Sequence, residues 1–223
     1  MDISDKTRNL SLIIKCIVII SAAAGTIMSA LSFGEFMSGS TVFMYFTIQS
    51  NIALALLCLT GAVFLLTKKN VSNAWFVIKL VATVAITLTG VVFCVVLAPT
   101  LGAGAWSLSN ILTHVVVPVA SIIDYYVICR YGNLLKRHVV YVVIPPIAYA
   151  VYAGIGYVNN WNFAGGINYP YFFLNWGSPA GAFGFTNELP YMGCVWWILV
   201  LLIFLVIIGL IYIKTVRSSV RKG

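Results

Sequence analysis

The chain has 223 residues, 61% of them hydrophobic and only 8% charged, with a mean hydropathy of +1.02 and a formal net charge of +8. A soluble domain carries roughly a quarter charged residues, so this composition excludes an ordinary soluble fold. The basic residues stand in short clusters between apolar runs, with no basic face interleaved with aromatic side chains, which argues against a nucleic-acid partner.

In chain order, apolar stretches of about the 20 residues that a bilayer requires run from roughly 10 to 33, 43 to 67, 75 to 98, 108 to 129, 138 to 157 and 193 to 213. The predicted fold class is therefore an all-α integral membrane protein, a single six-transmembrane-helix bundle covering 1–223. The first stretch is too long for the apolar core of a secretory signal, so it counts as a span. All 13 basic residues lie at or near the amino terminus, around the second and fourth connections, and at the carboxyl terminus. They alternate with three connections, 34–42, 99–107 and 158–192, that contain none. Charge asymmetry of this kind orients membrane proteins and predicts both termini in the cytoplasm, with those three connections outward.

The second span opens with FMYFTIQSN, in which Thr47, Gln49, Ser50 and Asn51 are polar. Polar groups in hydrocarbon cost several kcal/mol unless they find partners. At roughly 100° per residue Thr47, Asn51, Leu54 and Cys58 share one face, Ser50 flanks it, and Gln49 points elsewhere. The fourth span repeats the pattern with Ser107, Asn110, His114, Pro118 and Ser121. By helical rise Thr47 stands roughly 32 Å above Lys68 and His114 roughly 24 Å above Arg130, a difference that tilt can absorb. A hydroxyl and an imidazole at one depth can act as nucleophile and general base. The ordinary alternatives are a threonine bonded back to the carbonyl of Phe43 and a histidine that only bridges helices.

Asp124 lies roughly 15 Å deeper than His114 and is expected to pair with Lys79 or Lys15. Pro118 removes the amide that would bond the carbonyl of His114, and Pro145 with Pro146 is expected to kink the fifth span. Glu35 and Glu188 read as solvated acids near loops. Cys94 and Cys194 share the outer side, and their pairing stays open. No metal-ligating motif and no phosphate loop occurs, so no metal and no cofactor is expected. The connection 158–192 is unusually long and rich in aromatic residues, Gly and Asn, which suits either an interfacial anchor or a lid over the outer mouth.

The segments YFTIQSN (45–51), LTHVVVPV (112–119) and YPYFFLNW (169–176), in that order within six spans, resemble the prokaryotic six-transmembrane protein family. Its relatives include the androgen-induced integral-membrane hydrolases of fatty acid esters of hydroxy fatty acids. The resemblance implies a catalytic pair at Thr47 and His114, and a membrane-lipid or fatty-acyl ester as substrate. It covers most of the chain in span order, but through short motifs. The family's loop motif often ends in an acidic residue where this chain has Asn175, so a carboxylate role does not carry over. The expectation is then a multi-pass plasma-membrane esterase. Ser50, Asn51 or Asn110 would donate to the oxyanion, and Tyr169, Tyr171 and Asn175 would belong to the lid. A small-solute transporter or channel, a noncatalytic lipid-binding scaffold, and acyl transfer in place of hydrolysis are the competing readings; no protein partner is legible.

Overall fold

The computed structural model describes residues 3–31 and 38–220; Glu35, Arg221 and Lys222 lie outside them. Among the described residues six helices are long and apolar enough to cross a membrane: α1 Asp5–Leu31, α2 Phe46–Thr67, α3 Asn73–Leu101, α4 Leu108–Tyr131, α5 Lys136–Val158 and α6 Cys194–Ser218. Each begins and ends within a few residues of its predicted span, because the apolar runs stop at the same basic, glycine and asparagine residues that end hydrocarbon burial. The bundle has a basic end, where α1 starts and α6 finishes, and a loop end, where the long connection lies.

α1 to α4 form a mutually packed group, with α1 against α2 and α4, and α3 against α2 and α4. α6 packs on α3 and on the first turns of α5. Deep in this group the Asp124 carboxylate of α4 accepts from Lys15 Nζ of α1 at 2.7 Å on both oxygens and from Ser11 Oγ at 2.7 Å. Lys79 Nζ of α3 lies 2.8 Å from Oδ2 of the same carboxylate. Both predicted partners are thus present, and one acid ties three helices together. Lys15, Lys79 and Asp124 are all removed from solvent, at 0% exposure. Such a cluster persists in a low dielectric only because the charges face one another.

α5 changes helix type at its prolines. Its first eight residues, Lys136–Val143, form a 3-10 helix, and α-helix begins at Ile144 with the prolines in the first turn. There the missing proline amides fall in the first turn of the α-helical ladder, so Pro145 and Pro146 mark the change from 3-10 to α-helix. α3 and α4 each contain one turn of π-helix, Phe93–Leu97 and Leu112–Val116. Cys94 and Cys194 are both free thiols, Cys94 exposed and Cys194 buried.

The connection 158–192 folds over the loop end. A 3-10 turn, Phe172–Leu174, carries Phe173 and Leu174 into the core. Tyr171 stacks on Phe173 with ring centres 5.1 Å apart and meets Tyr45 edge-on at 5.7 Å. Trp197 of α6 packs against Phe172 and Phe173. The aromatic residues that suggest an interfacial anchor are thus used to seat the connection in the mouth of the bundle.

Candidate active site

Thr47 is the second residue of α2, and its side chain turns inward with Asn51, Leu54 and Cys58, as the helical spacing predicts. Gln49 points away and donates to the carbonyl of Phe43 at 3.0 Å. Thr47 does not bond back to Phe43; its Oγ1 lies 3.2 Å from His114 Nε2. Both residues are buried, at 7% and 6% exposure.

The neighbours of His114 decide which nitrogen carries the proton. Nδ1 lies 3.1 Å from the carbonyl oxygen of Asn110, an atom that only accepts. It also lies 3.0 Å from Thr113 Oγ1, whose own proton goes to the carbonyl of Ser109 at 2.9 Å. Both contacts require a proton on Nδ1. Nε2 is then a bare lone pair aimed at the Thr47 hydroxyl, the arrangement in which an imidazole can accept that proton.

The backbone around the ring follows from the π-turn. Thr113 and His114 sit within Leu112–Val116, and both are buried. Phe93, from the π-turn of α3, stacks on the imidazole with ring centres 3.9 Å apart and 20° between planes. The two widened turns face each other across the histidine, a placement in keeping with the tendency of π-turns to occur at functional sites. Gly90 makes the approach feasible: a Cβ there would stand 2.8 Å from the His114 carbonyl oxygen and 3.1 Å from Pro118 Cγ.

The three residues considered as oxyanion donors hold other partners. Asn51 donates to the carbonyls of Thr47 at 2.8 Å and Thr113 at 3.2 Å, which fastens α2 to α4 beside both site residues. Ser50 donates to the Thr47 carbonyl and meets Thr89 Oγ1, each at 3.0 Å. Asn110 Nδ2 donates to the carbonyl of Ala105 at 2.9 Å, so Asn110 acts on His114 through its backbone oxygen. Of the loop residues, only Tyr171 reaches the pair. The backbone amide of Thr47 donates to Tyr171 Oη at 3.4 Å, and Oη is 3.5 Å from Thr47 Oγ1. Burial pushes the Tyr171 phenol above its ordinary pKa, so it stays a neutral donor at physiological pH. Asn175 Oδ1 accepts from the amide of Gly177 at 3.1 Å within the loop, and Tyr169 is partly exposed there.

A cavity of about 70 Å³ borders Thr47, with Thr47, Thr89, Tyr149 and Tyr171 in a wall otherwise built from apolar side chains such as Leu88 and Leu202. Phe93, Thr113, Thr89 and the direct role of Tyr171 escape the sequence reading, because adjacent residues and a distant loop share no helical period. Fold and site together define a multi-pass, all-helical membrane protein with a buried threonine–histidine pair beside an apolar cavity. No family profile, curated protein or solved structure matches the chain.

Proposed function

We propose that the protein is an intramembrane lipid ester hydrolase with Thr47 as nucleophile and His114 as general base. The reading rests on one observation above all: the Thr47 hydroxyl lies 3.2 Å from an imidazole nitrogen left unprotonated by its neighbours. In the first half-reaction Thr47 Oγ1 attacks the ester carbonyl carbon as its proton passes to His114 Nε2. The C–O bond to the alcohol then breaks, and the alcohol oxygen takes that proton. In the second, water gives a proton to Nε2 and attacks the acyl-threonine, releasing the carboxylic acid and restoring the hydroxyl. The negative charge that develops on the carbonyl oxygen has the Tyr171 hydroxyl as a nearby donor, its oxygen held beside the site by the amide of Thr47.

The apolar cavity and the resemblance at residues 45–51, 112–119 and 169–176 favour a fatty-acyl ester, of the kind formed between fatty acids and hydroxy fatty acids, as substrate. In this reading the protein sits in the plasma membrane with its basic end cytoplasmic and its loop end outward. A solute path among α1, α3 and α4 would meet the Lys15–Asp124–Lys79 cluster, which is sealed from solvent, so transport is the weaker reading. The test is hydrolysis of long-chain esters by purified protein and by Thr47→Ala and His114→Ala. Each substitution is expected to abolish turnover above background; full activity in both overturns the assignment.

A further inference from the structure

The cavity beside Thr47 is too small for the substrate class that the catalytic reading names. A buried water needs about 10–15 Å³ of such space, and pockets for drug-sized ligands begin near 300 Å³. At about 70 Å³ the cavity can take the ester group and a few atoms around it, but no long acyl chain. The chain must lie elsewhere.

Two clefts of suitable size open on the side of the bundle, both between α5 and its neighbours. One, of about 450 Å³, runs between α2, α3 and α5 along Ala53, Ala82, Ala85 and Ala148. The other, of about 520 Å³, continues toward the basic end between α3 and α5. The two share Ile78, Val81 and Pro145 and so form one continuous trough. Its width has a local cause. α5 meets α3 through its 3-10 portion, while the α-helical portion beyond the prolines rests on the loop turn, and the facing positions are alanines. The walls are mostly apolar, with Gln49 and Ser50 near the loop end and Asn73 and His138 at the basic end, and in a bilayer the trough opens onto hydrocarbon.

At its loop end the trough stops at Phe46 and Tyr149, and both residues also line the cavity that holds Thr47. Their rings meet edge-on with centres 5.2 Å apart; the Tyr149 hydroxyl donates to the carbonyl of Met44 at 3.1 Å, and its ring also packs on Tyr152 and Tyr171, with centres 5.7 and 6.1 Å away. We propose that this trough is the acyl-chain site of the enzyme, entered sideways from the membrane, and that Phe46 and Tyr149 gate its junction with Thr47. The inference rests on the catalytic reading above. A fatty-acyl chain is the occupant that fits: it needs no hydrogen-bond partner along the alanine-lined wall, it is the molecule present at the opening, and turning the Tyr149 ring aside joins a chain-sized space to an ester-sized one.

The experiment fills the trough without touching the site. Ala53 and Ala148 are exposed on its walls, so Ala53→Trp and Ala148→Trp are assayed on p-nitrophenyl palmitate and on p-nitrophenyl butyrate, with Thr47→Ala beside them. The tryptophan variants are expected to lose roughly tenfold or more in kcat/KM on the palmitate, the scale on which hydrophobic pockets discriminate, and to keep butyrate turnover within about twofold. Equal loss on both esters, or loss on neither, overturns the acyl-chain site while leaving the catalytic pair standing. Absence of turnover in the unsubstituted protein, or its persistence in Thr47→Ala, overturns the catalytic reading, and the acyl-chain site falls with it. If a tryptophan variant does not fold, Tyr149→Phe decides: freeing the gate from Met44 should raise kcat/KM on the palmitate relative to the butyrate, and an unchanged ratio refutes the gate.

Discussion

Replacing Asp124 by Asn leaves two ammonium groups in the interior with no anion. In the intact protein Lys15 bonds both carboxylate oxygens at 2.7 Å and Lys79 bonds one at 2.8 Å. Breaking a buried ion pair by removing one partner costs about 3–5 kcal/mol, and here the removed partner serves two cations, so a value near 5 kcal/mol is expected. That is a large part of the roughly 5–15 kcal/mol that holds a typical domain together. At about 2–4 °C per kcal/mol for a chain of this size, the melting temperature should fall by roughly 10–20 °C. Lys79→Met makes the opposite prediction. It leaves Lys15 and Asp124 as a one-to-one pair and removes the surplus charge, so the change should be within about 1 kcal/mol and can be stabilising. Thermal unfolding of the purified variants in one detergent, followed by loss of the monodisperse peak in gel filtration, separates the two. If Lys79→Met is destabilised as far as Asp124→Asn, charge stoichiometry does not govern this cluster and the reasoning fails.

Three further outcomes concern the site. Tyr171→Phe keeps the stack on Phe173 but removes a donor beside the nucleophile, so kcat should drop about 10²-fold with KM little changed, in steady-state kinetics; an unaltered kcat refutes the oxyanion role. Thr113→Val takes away one of two acceptors on His114 Nδ1 while the Asn110 carbonyl remains, so the rate should fall by less than in His114→Ala, measured with the same esters. Asn51→Leu strips the Thr113 carbonyl of a side-chain donor and Thr47 of one of its two, and should destabilise the fold by about 1–3 kcal/mol in the unfolding assay.

The spans were legible because bilayer thickness imposes a length on apolar runs, and the faces of α2 because a regular helix turns about 100° per residue. That regularity also made it possible to expect Thr47 and His114 at one depth and Asp124 among lysines. The π-turns were not legible: nothing in LTHVV or FCVVL marks a widened turn, and a uniform period cannot bring Thr113 and His114 to one ring nitrogen. Tyr171 lies 124 residues from Thr47, and no local pattern fixes how a 35-residue connection folds back onto a helix end. Asn51 was placed on the inward face and Ser50 at its flank, as found, but the donors of Ser50, Asn51 and Asn110 answer backbone carbonyls and a neighbouring threonine, partners that residue spacing does not reveal. Pro145 and Pro146 carried a true signal about the backbone whose form, a change of helix type, depends on the eight residues before them.

The last two spans differ from the rest in how little protein surrounds them. In their most apolar windows α5 and α6 are 22% and 17% buried, against 56% for α3. In a bilayer much of their solvation shell is therefore hydrocarbon, and few protein contacts fix α5 against α2 and α3. Detergent micelles, which press less evenly than a bilayer, would shift that position without any change of sequence. Two preparations of the same protein can then differ in the width of the trough beside α5 for a reason that lies in the solvent.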